Sequence, residues 1–243
     1  MNKKYVEMCV ESVVKYCGNS FNICLINDDS FSKLIPGWQV DMDLVSDPIK
    51  KHIRILALMK ILYYYGGMCL PNSTLIMKDI RPLYNELLRV RCMFAGEMVS
   101  RNSTSTMTRF YTSNKMMGCK KKSELMNGLI KRVELLLSND NTEQMDFEGE
   151  VDRILYKMHD DNTISLIEGK AFGNKTKDDK AVLVDDLLGN SYINFDRNMF
   201  GIYLPKKEIE KRTKFQWFGR LNRQQVLNAN TIVTKYFLIS AGQ

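Results

Sequence analysis

Between residues 52 and 82 the apolar and polar positions fall into sharply separated blocks. An apolar helix runs up to Tyr63-Tyr64-Tyr65 and stops at Gly66-Gly67. A short apolar strand, Met68-Cys69-Leu70, comes next, then the polar stretch Pro71-Asn72-Ser73, then a second apolar run from Thr74 to Met77. The pattern predicts a helix, a glycine turn and a central strand with polar residues at its carboxyl end, where open α/β sheets place ligand sites. Leu56, Met59 and Leu62 are expected inside, and at least one glycine of the pair at positive φ, which a side chain would disfavour. Ser46 or Asp47 is expected to cap the long helix, with Pro48 in its first turn.

Elsewhere the spacing is equally readable. Lys3 to Cys17 has helical periodicity and a C-cap candidate in Gly18. Phe21 to Ile26 reads as a strand, followed by Asp28-Asp29, a helix-capping cluster in preference to a metal pair. Pro82 to Val90 reads as an amphipathic helix, Arg91 to Val99 and Phe110 to Met117 as strands around a Ser/Thr/Asn-rich loop. Ser123 to Leu137 and Val151 to Met158 read as helices, joined by an exposed polar connection from Ser138 to Gly149. Ile164 to Ile167 and Ile202 to Leu204 complete the strands. The aromatic and β-branched tail, Phe215 to Ile239, is expected to pack back onto the protein. The whole predicts one α/β domain over residues 1–243, a mixed sheet flanked by helices, with a C-terminal extension over about 200–243.

Composition narrows the class. The chain has 243 residues, 44% hydrophobic and 26% charged, enough for a sizeable core. Its net charge of +7 suits acidic partners. The basic residues are scattered, though, and no basic motif interleaved with aromatics accompanies them, so nucleic acid is not the expected primary partner. The six cysteines form no C-x-x-C pair, which predicts buried free thiols in a reducing compartment. Asp41-Met42-Asp43 and His159-Asp160-Asp161 are acidic clusters that read as chance pattern and turn. With no signal-like leader and no apolar run long enough to span a bilayer, a cytoplasmic protein is expected.

The block around Gly66-Gly67 resembles the DXD-type sugar-transferase family (the Och1-like and capsular-polysaccharide glycosyltransferases), whose form is close to S-D-x-x-R-x-x-x-L-Y-x-Y-G-G-x-Y-L-D-x-D. Leu62, Tyr63, Tyr65, Gly66, Gly67 and Leu70 match its scaffold positions. The resemblance covers about the first 85 residues and implies a GT-A-like fold. The chemical positions differ: the family's Ser-Asp falls on Arg54 and Ile55, its Arg on Leu58, and its D-x-D on Pro71-Asn72-Ser73.

That loss is electrostatic. In metal-dependent members D-x-D holds a divalent cation against the donor diphosphate, and hard cations need oxygen ligands, preferably anionic. Asn72 and Ser73 offer neutral oxygens, and Ile55 and Leu58 cannot hydrogen-bond. No catalytic residue, metal or cofactor is therefore expected. The resemblance implies a catalytically degenerate, structural or interaction protein, a pseudoenzyme with protein partners. The Asn-, Lys- and Ile-rich composition with 15 methionines resembles that of proteins of large DNA viruses, which makes a virion component such as a minor capsid protein a concrete version of that reading. The alternative is an active metal-independent glycosyltransferase. Arg54, Lys78, Arg81 and Lys115 would then neutralise the diphosphate of a nucleotide sugar, and Asn72, Ser73 and Asn114 would contact donor hydroxyls.

Overall fold

Two sheets divide the strands between them. The structure, a computed structural model, describes residues 3–97, 111–139 and 144–242. The larger sheet has the order β1-β4-β3-β5, formed by Gly67–Cys69 (β1), Met93–Glu97 (β3), Thr112–Cys119 (β4) and Ser165–Ile167 (β5). β4 pairs antiparallel with β1 and β3, while β3 and β5 run parallel, so the sheet is mixed. The second sheet pairs Thr74–Ile76 (β2) with Gly201–Tyr203 (β6), antiparallel. The fold is α/β, as the pattern predicts.

Alternation along β3 and β4 splits the interior in two. Met93, Ala95, Met117 and Cys119 face a core built with Leu56, Met59 and Leu62 of α3 (Ile49–Tyr65), and with α5 (Glu124–Ser138) and α6 (Gln144–Asp160). Phe94 and Met116 face the other way, onto Ile76, Ile167, Phe172 and Tyr203. A third core joins α1 (Lys4–Cys17) and β2 to the C-terminal part of the chain. Tyr5, Cys9, Leu75, Ile202, Phe218, Val233 and Phe237 are all buried in it. The tail packs as expected, and residues 200–242 help to close this core. The helices carrying it are α7 (Val184–Leu188), α8 (Lys206–Lys211), α9 (Gln216–Arg220), α10 (Arg223–Asn228) and α11 (Ile232–Ala241).

The glycine turn is as the spacing predicts, with φ of 74° at Gly66 and 97° at Gly67. β1, however, is an edge strand and not a central one. It pairs with β4 alone, and the Gly67 amide N–H donates to the Tyr84 hydroxyl at 3.2 Å. After three residues the chain leaves for the second sheet, so β1 has no length with which to recruit another neighbour.

Three other expectations change. Asn22 to Asn27 joins no sheet, because alternation is missing: Cys24 and Leu25 are both exposed. Gly18 does cap α1 as expected, in a right-handed conformation, φ −62°, its N–H donating to the Val14 carbonyl. α3 begins at Ile49 with no side-chain cap, and Asp47 instead pairs with Lys51 at 3.2 Å. α6 starts at Gln144 and absorbs half of the expected connection. The Ser/Thr/Asn-rich loop and Phe110 lie outside the described residues.

Candidate functional site

α3 runs into β1 through the glycine turn, so its N-terminus lies at the end of the sheet where β1 and β3 finish and β4 starts. Pro71-Asn72-Ser73, Asn114, Lys115 and the first turns of α3 therefore belong to one end of the molecule. This is the end where the sequence places a ligand site.

The polar groups there are already engaged. Ser73 is 2% exposed; its hydroxyl donates to the Leu204 carbonyl at 2.6 Å, and its own carbonyl accepts the Leu204 N–H at 2.9 Å. Ser73 thus extends the β2–β6 ladder by one residue. The Pro71 carbonyl accepts the Thr74 N–H, and Asn72 stands exposed at the corner of that turn. Asn114 is buried, and both its backbone N–H and its side-chain amide donate to Asp152 Oδ1 at 2.8 Å. Ser73 faces the second sheet and Asn114 faces α6, so the three expected donor contacts are not brought together.

Two of the expected cations, Arg54 and Lys78, are also occupied. Arg54 grips Asp28 through Nε and Nη2 at 2.7 Å each. Lys78 donates to the Asn198 carbonyl and sits 4.5 Å over the Phe200 ring. Arg81 is exposed. Ile55 packs against the core beneath α3. Asp41-Met42-Asp43 forms a turn in which Asp41 accepts the Asp43 N–H, and Met42 is buried. Among the described residues no group of three or more His, Cys, Asp or Glu side chains is placed to hold a metal ion.

Sequence reasoning missed a different constellation. Glu148 and Asp152, one turn apart on α6, face Lys115 of β4. Lys207 of α8 reaches Glu148 Oε1 at 3.0 Å, and Lys115 lies 4.0 Å from Glu148 Oε2. His52, 3% exposed at the start of α3, lies within electrostatic reach of Glu148. Burial pushes the Asp152 carboxyl up to about 7, although Asn114's two N–H groups and Lys115 oppose the shift. Burial also lowers Lys115, with Glu148 opposing it. For Glu148 burial would raise the pKa, but Lys115 and Lys207 outweigh it and the net shift is downward. Of these three groups only Asp152 is brought close to neutral pH. The i, i+4 spacing of Glu148 and Asp152 was the available signal. It was hidden because the helix was expected to begin at Val151.

Two surface clefts lie elsewhere, and neither is lined by Asn72, Ser73 or Asn114. No described helix is long and apolar enough to cross a membrane. The chain matches no protein-family model, no curated protein and no solved structure.

Proposed function

We propose that this protein is a catalytically degenerate relative of the DXD-type sugar transferases that works through its surface, as a structural or interaction component such as a minor capsid protein of a large DNA virus. One observation carries the reading. Ser73 and Asn114, two of the three polar side chains that would have to meet a donor, are buried and committed to Leu204 and Asp152. Turning Ser73 toward a ligand takes the donor from the buried Leu204 carbonyl, at about 1–3 kcal/mol, and turning the Asn114 amide removes one of the two donors on Asp152 Oδ1. The neutral oxygens at residues 71–73 give a hard cation little reason to shed its water.

The test is titration and turnover on the native protein. UDP- and GDP-sugars, with and without Mn²⁺, should show no transfer above background and no binding that Asn72→Ala weakens. Sugar transfer that Asn72→Ala abolishes would sink the reading. Stoichiometric copurification with a protein assembly would support it.

A metal-independent transferase remains the second reading, favoured by the convergence of Lys115 and Lys207 on Glu148 at the carboxyl end of β1 and β3. A donor diphosphate taking Glu148's place would be neutralised by the two ammonium groups. That reading requires transfer that survives chelation of divalent cations and fails in Lys207→Gln.

A further inference from the structure

At the opposite end of the sheet, where α3 stops and β1 begins, a cleft of about 630 Å³ opens onto the surface. Its floor is Gly66-Gly67. One wall is α4 (Arg81–Val90), presenting Tyr84, Asn85, Leu88 and Arg89; the other is the turn Lys120-Lys121, with Tyr65 at the rim. Three of these residues are cations and none is a carboxylate. The second cleft, by contrast, is lined by Glu86, Glu168 and Asp196 as well as by basic residues.

The cations are presented from fixed backbone. The Lys120 N–H donates to the Cys92 carbonyl at 2.9 Å and the Lys122 N–H to the Tyr63 carbonyl at 2.7 Å, so the turn is held at both ends. Gly66 lets that turn approach closely: a Cβ there would stand 2.8 Å from the Lys121 nitrogen. Lys122 is drawn off over the rings of Tyr63 and Tyr64, at 4.6 and 4.1 Å. Lys120, Lys121 and Arg89 form no ion pair among the described residues, whereas Lys60, Lys115 and Lys207 each meet a glutamate. Asn85 and Arg89, four apart on α4, share one face. Tyr65 is itself anchored, its hydroxyl donating to the Leu34 carbonyl at 2.9 Å. The carbonyl end of α3 opposes an anion here. Two of its carbonyls, Leu62 and Tyr63, are already capped by the Gly66 and Lys122 N–H groups.

We infer that this cleft binds a diphosphate-bearing small ligand. The phosphates sit between Arg89 on one side and Lys120 and Lys121 on the other, and the tyrosine rim offers a flat surface to the rest of the molecule. Arginine supplies a bidentate fork for one phosphate and the two lysines supply point charges for the next. This site is at the other end of the sheet from residues 71–73 and does not depend on the function proposed above.

The experiment is calorimetric titration of the full chain with inorganic pyrophosphate, repeated with a single-stranded oligonucleotide. Pyrophosphate should bind saturably and lose affinity as salt rises. The pair Arg89→Gln, Lys121→Gln should weaken it at least about tenfold, the usual scale for removing charge-assisted hydrogen bonds. The pair Lys131→Gln, Arg132→Gln, which removes the same charge from the exposed side of α5, should leave it unchanged. Circular dichroism on each variant checks that the fold persists. No binding by the native chain, equal weakening in both pairs, or binding of the oligonucleotide alone would each overturn the inference.

Discussion

Arg54 donates from Nε and Nη2 to the two carboxylate oxygens of Asp28, each at 2.7 Å, and so ties α3 to the segment that runs before it. That segment carries Phe31, Ile35 and Met42 onto Ala57 of the same helix. Arg54 thus acts as a strut between the two.

Because the pair is partly exposed, its worth is modest. A double-mutant cycle with Arg54→Ala and Asp28→Asn should return a coupling of about 0.5–1 kcal/mol. Limited proteolysis should cut residues 22–48 faster in either variant. The hydrogen bond from Arg54 holds the Asp28 carboxyl below its ordinary value, so this contribution is present above the unfolded pKa and fades as pH falls through the folded one. A coupling unchanged in strong acid would contradict it.

Asp152 should give the opposite pH dependence. Its folded carboxyl titrates near about 7 against an ordinary value of 3.8, so between those values the folded state holds a proton that the unfolded state has lost. Stability therefore declines as pH rises across that window. Asp152→Asn keeps an oxygen for the Asn114 donors and removes the titration. Urea unfolding at about pH 5 and about pH 8 should show a flatter profile for the variant and a higher midpoint at the alkaline end. A variant less stable at both values would mean that the ionised carboxylate is the structural partner.

Gly66 and Gly67 both have positive φ, yet they should not respond alike. Gly66, at φ 74° and ψ −166°, lies in a region that side chains avoid, and a Cβ would press on the Lys121 backbone. Gly66→Ala should cost about 3 kcal/mol. A Cβ on Gly67 meets nothing within 4 Å, so Gly67→Ala should cost about 1 kcal/mol from conformation alone. Equal losses by denaturant unfolding would refute the packing argument.

Along the tail, burial separates neighbours. Phe218→Ala removes a fully buried ring packed on Tyr5 and should cost about 3–5 kcal/mol. Trp217, 43% exposed, should tolerate replacement by serine within about 1 kcal/mol. Trp217 is accordingly the tail position at which a partner-binding defect can be measured without unfolding the protein.

What the sequence revealed follows the range of the interactions involved. The glycine turn and the burial of Leu56, Met59 and Leu62 are written in local spacing, and both appear in the fold. The edge placement of β1 depends on β4, about fifty residues later, and no local pattern encodes it. Ser73 reads as a free polar group until Leu204, 131 residues away, comes to meet it. Asn114 is similar, because its partner Asp152 belongs to a helix whose first turns look like linker. Phe21 to Ile26 failed for the reverse reason: a run of apolar residues was read as a strand without the alternation that a half-buried strand requires.

The pairing of β2 with β6 also sets an order of events. β1, β3, β4 and β5 all come from residues 67–167, so the larger sheet can assemble before the last third of the chain has left the ribosome. α1 and β2 cannot finish with it. Their apolar faces, Tyr5 and Cys9 on one and Leu75 on the other, wait for Ile202, Phe218, Val233 and Phe237. α1, made before any strand of the sheet, is thus among the last elements to find its place. Until then its unburied face is the surface a chaperone, or a second unfinished chain, would meet.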